Sequence, residues 1–63
     1  MQDNLRQKVK LVKAMHNDIY KYKDIAEMLN ININSFYNWL NGAYNFSEEK
    51  AKLLEIWLND ILF

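Results

Sequence analysis

A chain of 63 residues has room for one domain, and one so short buries only about 60% of its unfolded surface, which favours a binding module over an enzyme. Eight Lys and Arg residues balance eight Asp and Glu for a formal net charge of zero, so the basic surplus usual in a dedicated nucleic-acid-binding domain is absent. There is no cysteine for a disulfide or thiolate metal site, no apolar run near the roughly 20 residues of a membrane span, and no signal-peptide core in MQDNLRQKVK, so a cytoplasmic protein is expected.

Proline is absent and Gly42 is the single glycine, so the pattern predicts helix almost throughout: an all-α fold of about four helices in one domain, 1–63. A first helix can be capped by Asp3 or Asn4. Leu5, Val9, Val12 and His16 recur at helical spacing within it, with Leu11 and Met15 beside them. It should end near Asn17 and Asp18, both turn formers, after which Ile19 and Tyr20 are expected in the core. A second helix is predicted from about Tyr22 to Leu29, and a third from about Ile33 to Leu40, stopped by the C-cap pair Asn41 and Gly42. Ser47 caps the last helix, with Glu48 and Glu49 at the positive end of its dipole.

The segment Tyr22 to Gly42, YKDIAEMLNININSFYNWLNG, carries the most information. Ile25 and Leu29 share one face of the second helix, Ile31 follows the break, and Phe36 and Trp39 share a face of the third. Ala26 is small where the two helices must cross. Asn30 stands where the turn needs a left-handed residue, and Asn32 has the type and place of an N-cap.

This pattern resembles, without a gap, the helix-turn-helix of phage Cro proteins and phage repressors, the lambda-repressor-like DNA-binding family. It departs from the family in having Asn30 where glycine is commonest. The resemblance implies a sequence-specific transcriptional regulator, a Cro-like repressor that places the third helix on double-stranded DNA. By that resemblance Asn34 and Asn38 fall at base-reading positions, with Ile33 beside them and Asn32 at the helix tip. Ser35, Tyr22 and Asn41 fall at phosphate-contacting positions, and Lys21 and Lys23 flank the start of the second helix, where the family touches the backbone.

The residues of the third helix bear on that expectation directly. INSFYNWLN is uncharged, so it could read bases but not attract phosphates strongly. Asparagine pairs with the N6 and N7 edge of adenine and apolar side chains meet thymine methyls, so A/T-rich half-sites are expected. Charge is uneven along the chain: residues 1 to 30 carry +2 and the remainder −2. An A/T-biased gene would also produce this abundance of Asn, Lys, Ile and Tyr. Tyr37 lies between the core side and the outer side of its helix, suited to the DNA backbone or to a protein. With Leu40, Tyr44 and Phe46 it keeps a second reading open, a helix-turn-helix scaffold that binds a protein as antirepressor or inhibitor of a host enzyme.

The last helix has more apolar residues than one stripe requires. Ala51, Leu54, Leu58 and Ile61 form one face, while Leu53, Ile56, Trp57, Leu62 and Phe63 spread beyond it. A homodimer through Trp57, Leu58, Ile61, Leu62 and Phe63 is the expectation, against the simpler alternative that the C-terminal residues fold back on the first helix. Enzymatic chemistry is not expected. His16 is the sole histidine, at the edge of an apolar stripe; Asp24 and Glu27 stand three apart, but Lys23 is placed to pair with Glu27; and no metal-ligand spacing or phosphate loop occurs, so no cofactor is expected.

Overall fold

Leu5, Val9 and Val12 align on one side of a first helix, α1 (Asp3–Met15), in the computed structural model, which describes residues 2–62. Asp3 in its first turn and Lys13 in its last suit the helix dipole. The side-chain cap expected from Asp3 or Asn4 does not form. Gln2 occupies the N-cap position without a capping bond, its amide being engaged elsewhere. The helix also stops earlier than Asn17. Ile19 and Tyr20 both donate their backbone N–H to the His16 carbonyl, at 3.0 and 2.9 Å, and that tight turn points Ile19 outward. Ile19 is 66% exposed, contrary to its expected place in the core. Tyr20 packs against the core edge, its ring edge-on to those of His16 and Trp57.

The second and third helices, α2 (Tyr22–Met28) and α3 (Ile33–Leu40), are joined by a turn that the backbone hydrogen bonds define. Asn30 has φ 57°, its N–H donates to Glu27 O at 3.0 Å, and Ile31 N–H donates to Ala26 O at 3.0 Å. Those two bonds are a Schellman ending, and they require the left-handed residue that Asn30 supplies. The Asn32 side chain then accepts from Asn34 N–H at 2.7 Å, starting α3 at once. The far end of α3 repeats the device: Gly42 has φ 90°, its N–H donates to Trp39 O, and Ala43 N–H donates to Asn38 O, both at 2.9 Å. The Asn32 cap and the Gly42 stop fix the length of α3 and the direction in which the chain leaves it.

The fourth helix, α4 (Glu48–Leu62), begins at Ser47, whose Oγ accepts from Lys50 N–H at 3.3 Å. It packs along α1 while α2 packs on α3, and the two pairs close over one core. Trp39 lies at its centre, stacked on Phe46 at 4.3 Å between ring centroids and tilted against Phe36 at 5.7 Å. Ala26 is buried where α2 crosses α3. The radius of gyration, 10.6 Å, matches the ~11 Å of a lone folded chain of this length, so this arrangement closes a core without a second subunit.

Candidate nucleic-acid interface

A helix turns 100° per residue, which puts Ile33, Asn34, Tyr37, Asn38 and Asn41 on one arc of α3 and its continuation. The structure leaves Asn34, Tyr37, Asn38 and Asn41 exposed and Ile33 half-buried, while Phe36, Trp39 and Leu40 on the other side are buried. The residues expected to read bases therefore share a solvent-facing surface that is polar and uncharged. Asn32 is exposed at its tip, with its Oδ1 committed to the cap. Ser35 is turned away from this arc and half-buried. Its carbonyl accepts from the Tyr44 hydroxyl at 2.8 Å, which ties the loop after α3 back to the helix. Leu40 and Phe46, expected as exposed apolar residues, are instead core residues. Leu40 faces inward with Phe36, and Phe46 is held by its stack on Trp39.

Two residues without an assigned role in the sequence hold α3 in place. Arg6 is 8% exposed. Its Nε donates to Trp39 O at 2.5 Å, its Nη2 to Tyr44 O at 2.7 Å and Asn45 Oδ1 at 3.2 Å, and its Nη1 pairs with Asp3 at 3.0 Å. Its guanidinium carbon also lies 5.0 Å from the centroid of the Trp39 ring. Gln2 accepts at Oε1 from Trp39 Nε1 and Phe46 N–H, at 2.7 and 2.8 Å, and donates from Nε2 to Phe46 O at 2.9 Å. Both side chains reach across more than 30 residues of sequence, so no local periodicity could reveal them.

Electrostatics around α3 follow from what Arg6 removes. With Arg6 and Asp3 paired, seven lysines face seven carboxylates over the rest of the chain. Lys21 and Lys23 are exposed at the start of α2 as expected. The helix-surface pair of Lys23 with Glu27 does not form; Arg6–Asp3 is the ion pair among the described residues. Lys23 and Glu27 instead border an open cleft of about 470 Å³ whose walls are Ala26, Ile31, Ile33 and Tyr37. Tyr22 is half-buried, with its ring 5.6 Å from Phe36 and 5.9 Å from Tyr37. Burial, and secondarily the neighbouring Tyr37 hydroxyl, raise the Tyr22 hydroxyl above its ordinary pKa. Two lysines of α1 also stand beside this surface. Lys13 Nζ lies 5.8 Å from the centroid of the Tyr22 ring, and Lys10 lines an open cleft with Asn41 and Gly42.

The expected dimer face is only partly free. Leu58 lies fully buried in the monomer beside Leu54, so it is not available to a partner. Trp57 packs its ring edge-on against Tyr20 at 5.3 Å, and Ile61 and Leu62 rest on the same core; Phe63 lies outside the described residues. The apolar residues of α4 that face solvent are Leu53 and Ile56, 48% and 60% exposed.

No helix is long and apolar enough to cross a membrane, and no three His, Cys, Asp or Glu converge as a metal site, among the described residues. The class these features define is a small all-α bundle of four helices with a helix-turn-helix corner. No protein-family model, curated protein or solved structure matches this chain.

Proposed function

We propose that this chain is a sequence-specific DNA-binding transcriptional regulator of the phage Cro and repressor type, which lays α3 in the major groove of A/T-rich operator half-sites. The observation that carries this reading is the exposed arc of α3, where Asn34, Asn38 and Asn41 stand free on a helix whose opposite side is anchored by Phe36 and Trp39. Asparagine offers paired donor and acceptor groups in the geometry of adenine's major-groove edge, and Ile33 and Tyr37 offer apolar contact to thymine methyls. Lys21, Lys23 and Tyr22 contribute backbone contacts beside that helix, and Ser35 and Asn32 serve chiefly to shape it. Such a regulator acts in the cytoplasm, as a homodimer whose two-fold axis matches that of its operator, with Leu53 and Ile56 as the contact.

Selection from random duplex DNA at two salt concentrations tests the reading. A sequence-specific binder returns a motif, with A·T pairs at its centre of contact. A pool that remains random at both concentrations overturns it.

A specific feature favours a second reading. The cleft walled by Ile31, Ile33 and Tyr37 is apolar, Tyr37 and Tyr44 are both exposed aromatics, and the net charge is zero, a combination suited to a protein partner such as a repressor or host enzyme. In that case the parent binds no duplex even at low salt, and a protein recovered from host lysate is lost on changing Tyr37 or Tyr44.

A further inference from the structure

We propose that α1 supplies phosphate contacts of its own through Lys10 and Lys13, on the flank of the interface where α3 carries no charge. This rests on the DNA-binding reading above. A helix ~10–12 Å across fills a major groove ~12 Å wide, so the phosphates bounding the groove meet whatever elements stand on either side of that helix. Lys10 stands at one end of α3, lining the cleft it shares with Asn41 and Gly42. Lys13 stands beside the middle of α3, its Nζ 5.8 Å from the Tyr22 ring, which in turn lies 5.9 Å from the Tyr37 ring. Three residues apart on one helix, the two lysines project from the same edge of α1.

Their charges are also free. The carboxylate that lines the same cleft as Lys10, that of Asp3, is paired with Arg6 at 3.0 Å. Lys13 donates to the Oδ1 of Asn17, a neutral group. Lys8 has the opposite situation, lying on the α4 side of α1 with Ala51 and Glu55. Position, not the number of lysines, is what distinguishes the pair.

The test measures affinity for a short fluorescein-labelled duplex of random sequence, by anisotropy over a salt series, for the parent and two variants of equal net charge. Lys10→Ala with Lys13→Ala should flatten the slope of log affinity against log salt by about two, since each phosphate contact contributes about 0.9. Lys8→Ala with Lys52→Ala should leave that slope within about half a unit of the parent. Replacing Lys10 and Lys13 by arginine should restore the parent slope. If the alanine pair lowers the melting temperature, a glutamine pair, which keeps the apolar stem, carries the measurement. Equal slopes for both double variants, in a parent that binds DNA, overturn this inference and leave the DNA reading standing. A parent that binds no duplex at low salt overturns both.

Discussion

The Nε of Arg6 donates to the carbonyl of Trp39 at 2.5 Å while the guanidinium lies 5.0 Å from the centre of the same residue's ring, so one buried cation holds both the backbone and the side chain that anchor α3. A planar fork with several donors is needed for this, because Tyr44 O and Asn45 Oδ1 are held by the same group. Arg6→Ala removes those charge-assisted bonds and the contact with the Trp39 ring, a loss of roughly 3 kcal/mol. That is a large share of the ~3–9 kcal/mol expected for a domain of this size. Arg6→Lys keeps the charge but not the fork and should lose about 1–2 kcal/mol. Urea denaturation followed by far-UV circular dichroism measures both, and a parent-like midpoint for Arg6→Ala refutes the assignment.

Ala26 and Trp39 test the crossing of α2 and α3 from two directions. Ala26→Leu adds three carbons to a side chain buried at the crossing and should lose about 1–3 kcal/mol. Trp39→Ala opens a cavity at the centre of the core and should lose roughly 3–5 kcal/mol. Two variants as stable as the parent in thermal melts would contradict the packing described.

On α4, exposure separates assembly from folding. Leu53→Lys together with Ile56→Lys should shift a dimer to monomer with little change in helix content or melting temperature. Leu58→Lys should unfold the chain at any concentration, because that side chain has no access to solvent. Gel filtration with light scattering decides the first part: a parent that is monomeric at high micromolar concentration removes the homodimer from the proposed function.

Asn34→Ala and Asn38→Ala should each lose about 1–3 kcal/mol on the selected operator and relax the preference at one base pair, with little change on random DNA. Both side chains are exposed, and the Asn34 bond to Asn32 uses its backbone N–H, which alanine retains. A uniform loss on every duplex would instead assign these residues to the phosphate backbone.

Tyr22 gives the folded state a dependence on alkaline pH. Its hydroxyl is raised above 10.0 by burial and by Tyr37, so on passing that pH the unfolded chain loses this proton before the folded one does. The contribution of the group is intact below the unfolded value and disappears as pH climbs through the folded one, so stability falls with rising pH in that window. Tyr22→Phe should show a shallower alkaline fall in the urea midpoint. Superimposable pH profiles for parent and variant count against a protected hydroxyl.

The bounds of α3 were legible because local signals marked both ends: Asn32 as a cap, Asn41 and Gly42 as a stop. Asn30 was legible for the same reason, since its left-handed backbone follows from steric demands within the turn itself. Ile19 was not, because an apolar residue in a turn carries no sign of which way the turn faces, and the bonds to His16 decide that. The surplus of apolar residues on α4 reads as an interface in the sequence, whereas part of it is covered within the monomer by Tyr20. Arg6 and Gln2 were hidden altogether: an arginine and a glutamine near the start of an amphipathic helix look like solvated residues, and the partners by which they hold α3 and the loop after it lie 33 to 44 positions away. Lys10 and Lys13 read from the sequence as a solvated face of α1, because which edge of α1 faces Asn41 and Tyr22 is a matter of tertiary packing.

The amide of Gln2 makes the last turn of α3 and the loop after it answer to the opposite end of the chain, since both Trp39 and Phe46 are bonded to it. Amide hydrogens protected by that arrangement exchange only when the arrangement opens as a unit. The N–H of Phe46 should therefore exchange in step with the first turns of α1, and faster in Gln2→Ala, while the start of α3, closed by its own cap, keeps a separate rate. Opening at one end of α3 is in this way controlled by residues remote in sequence, and opening at the other by its immediate neighbours.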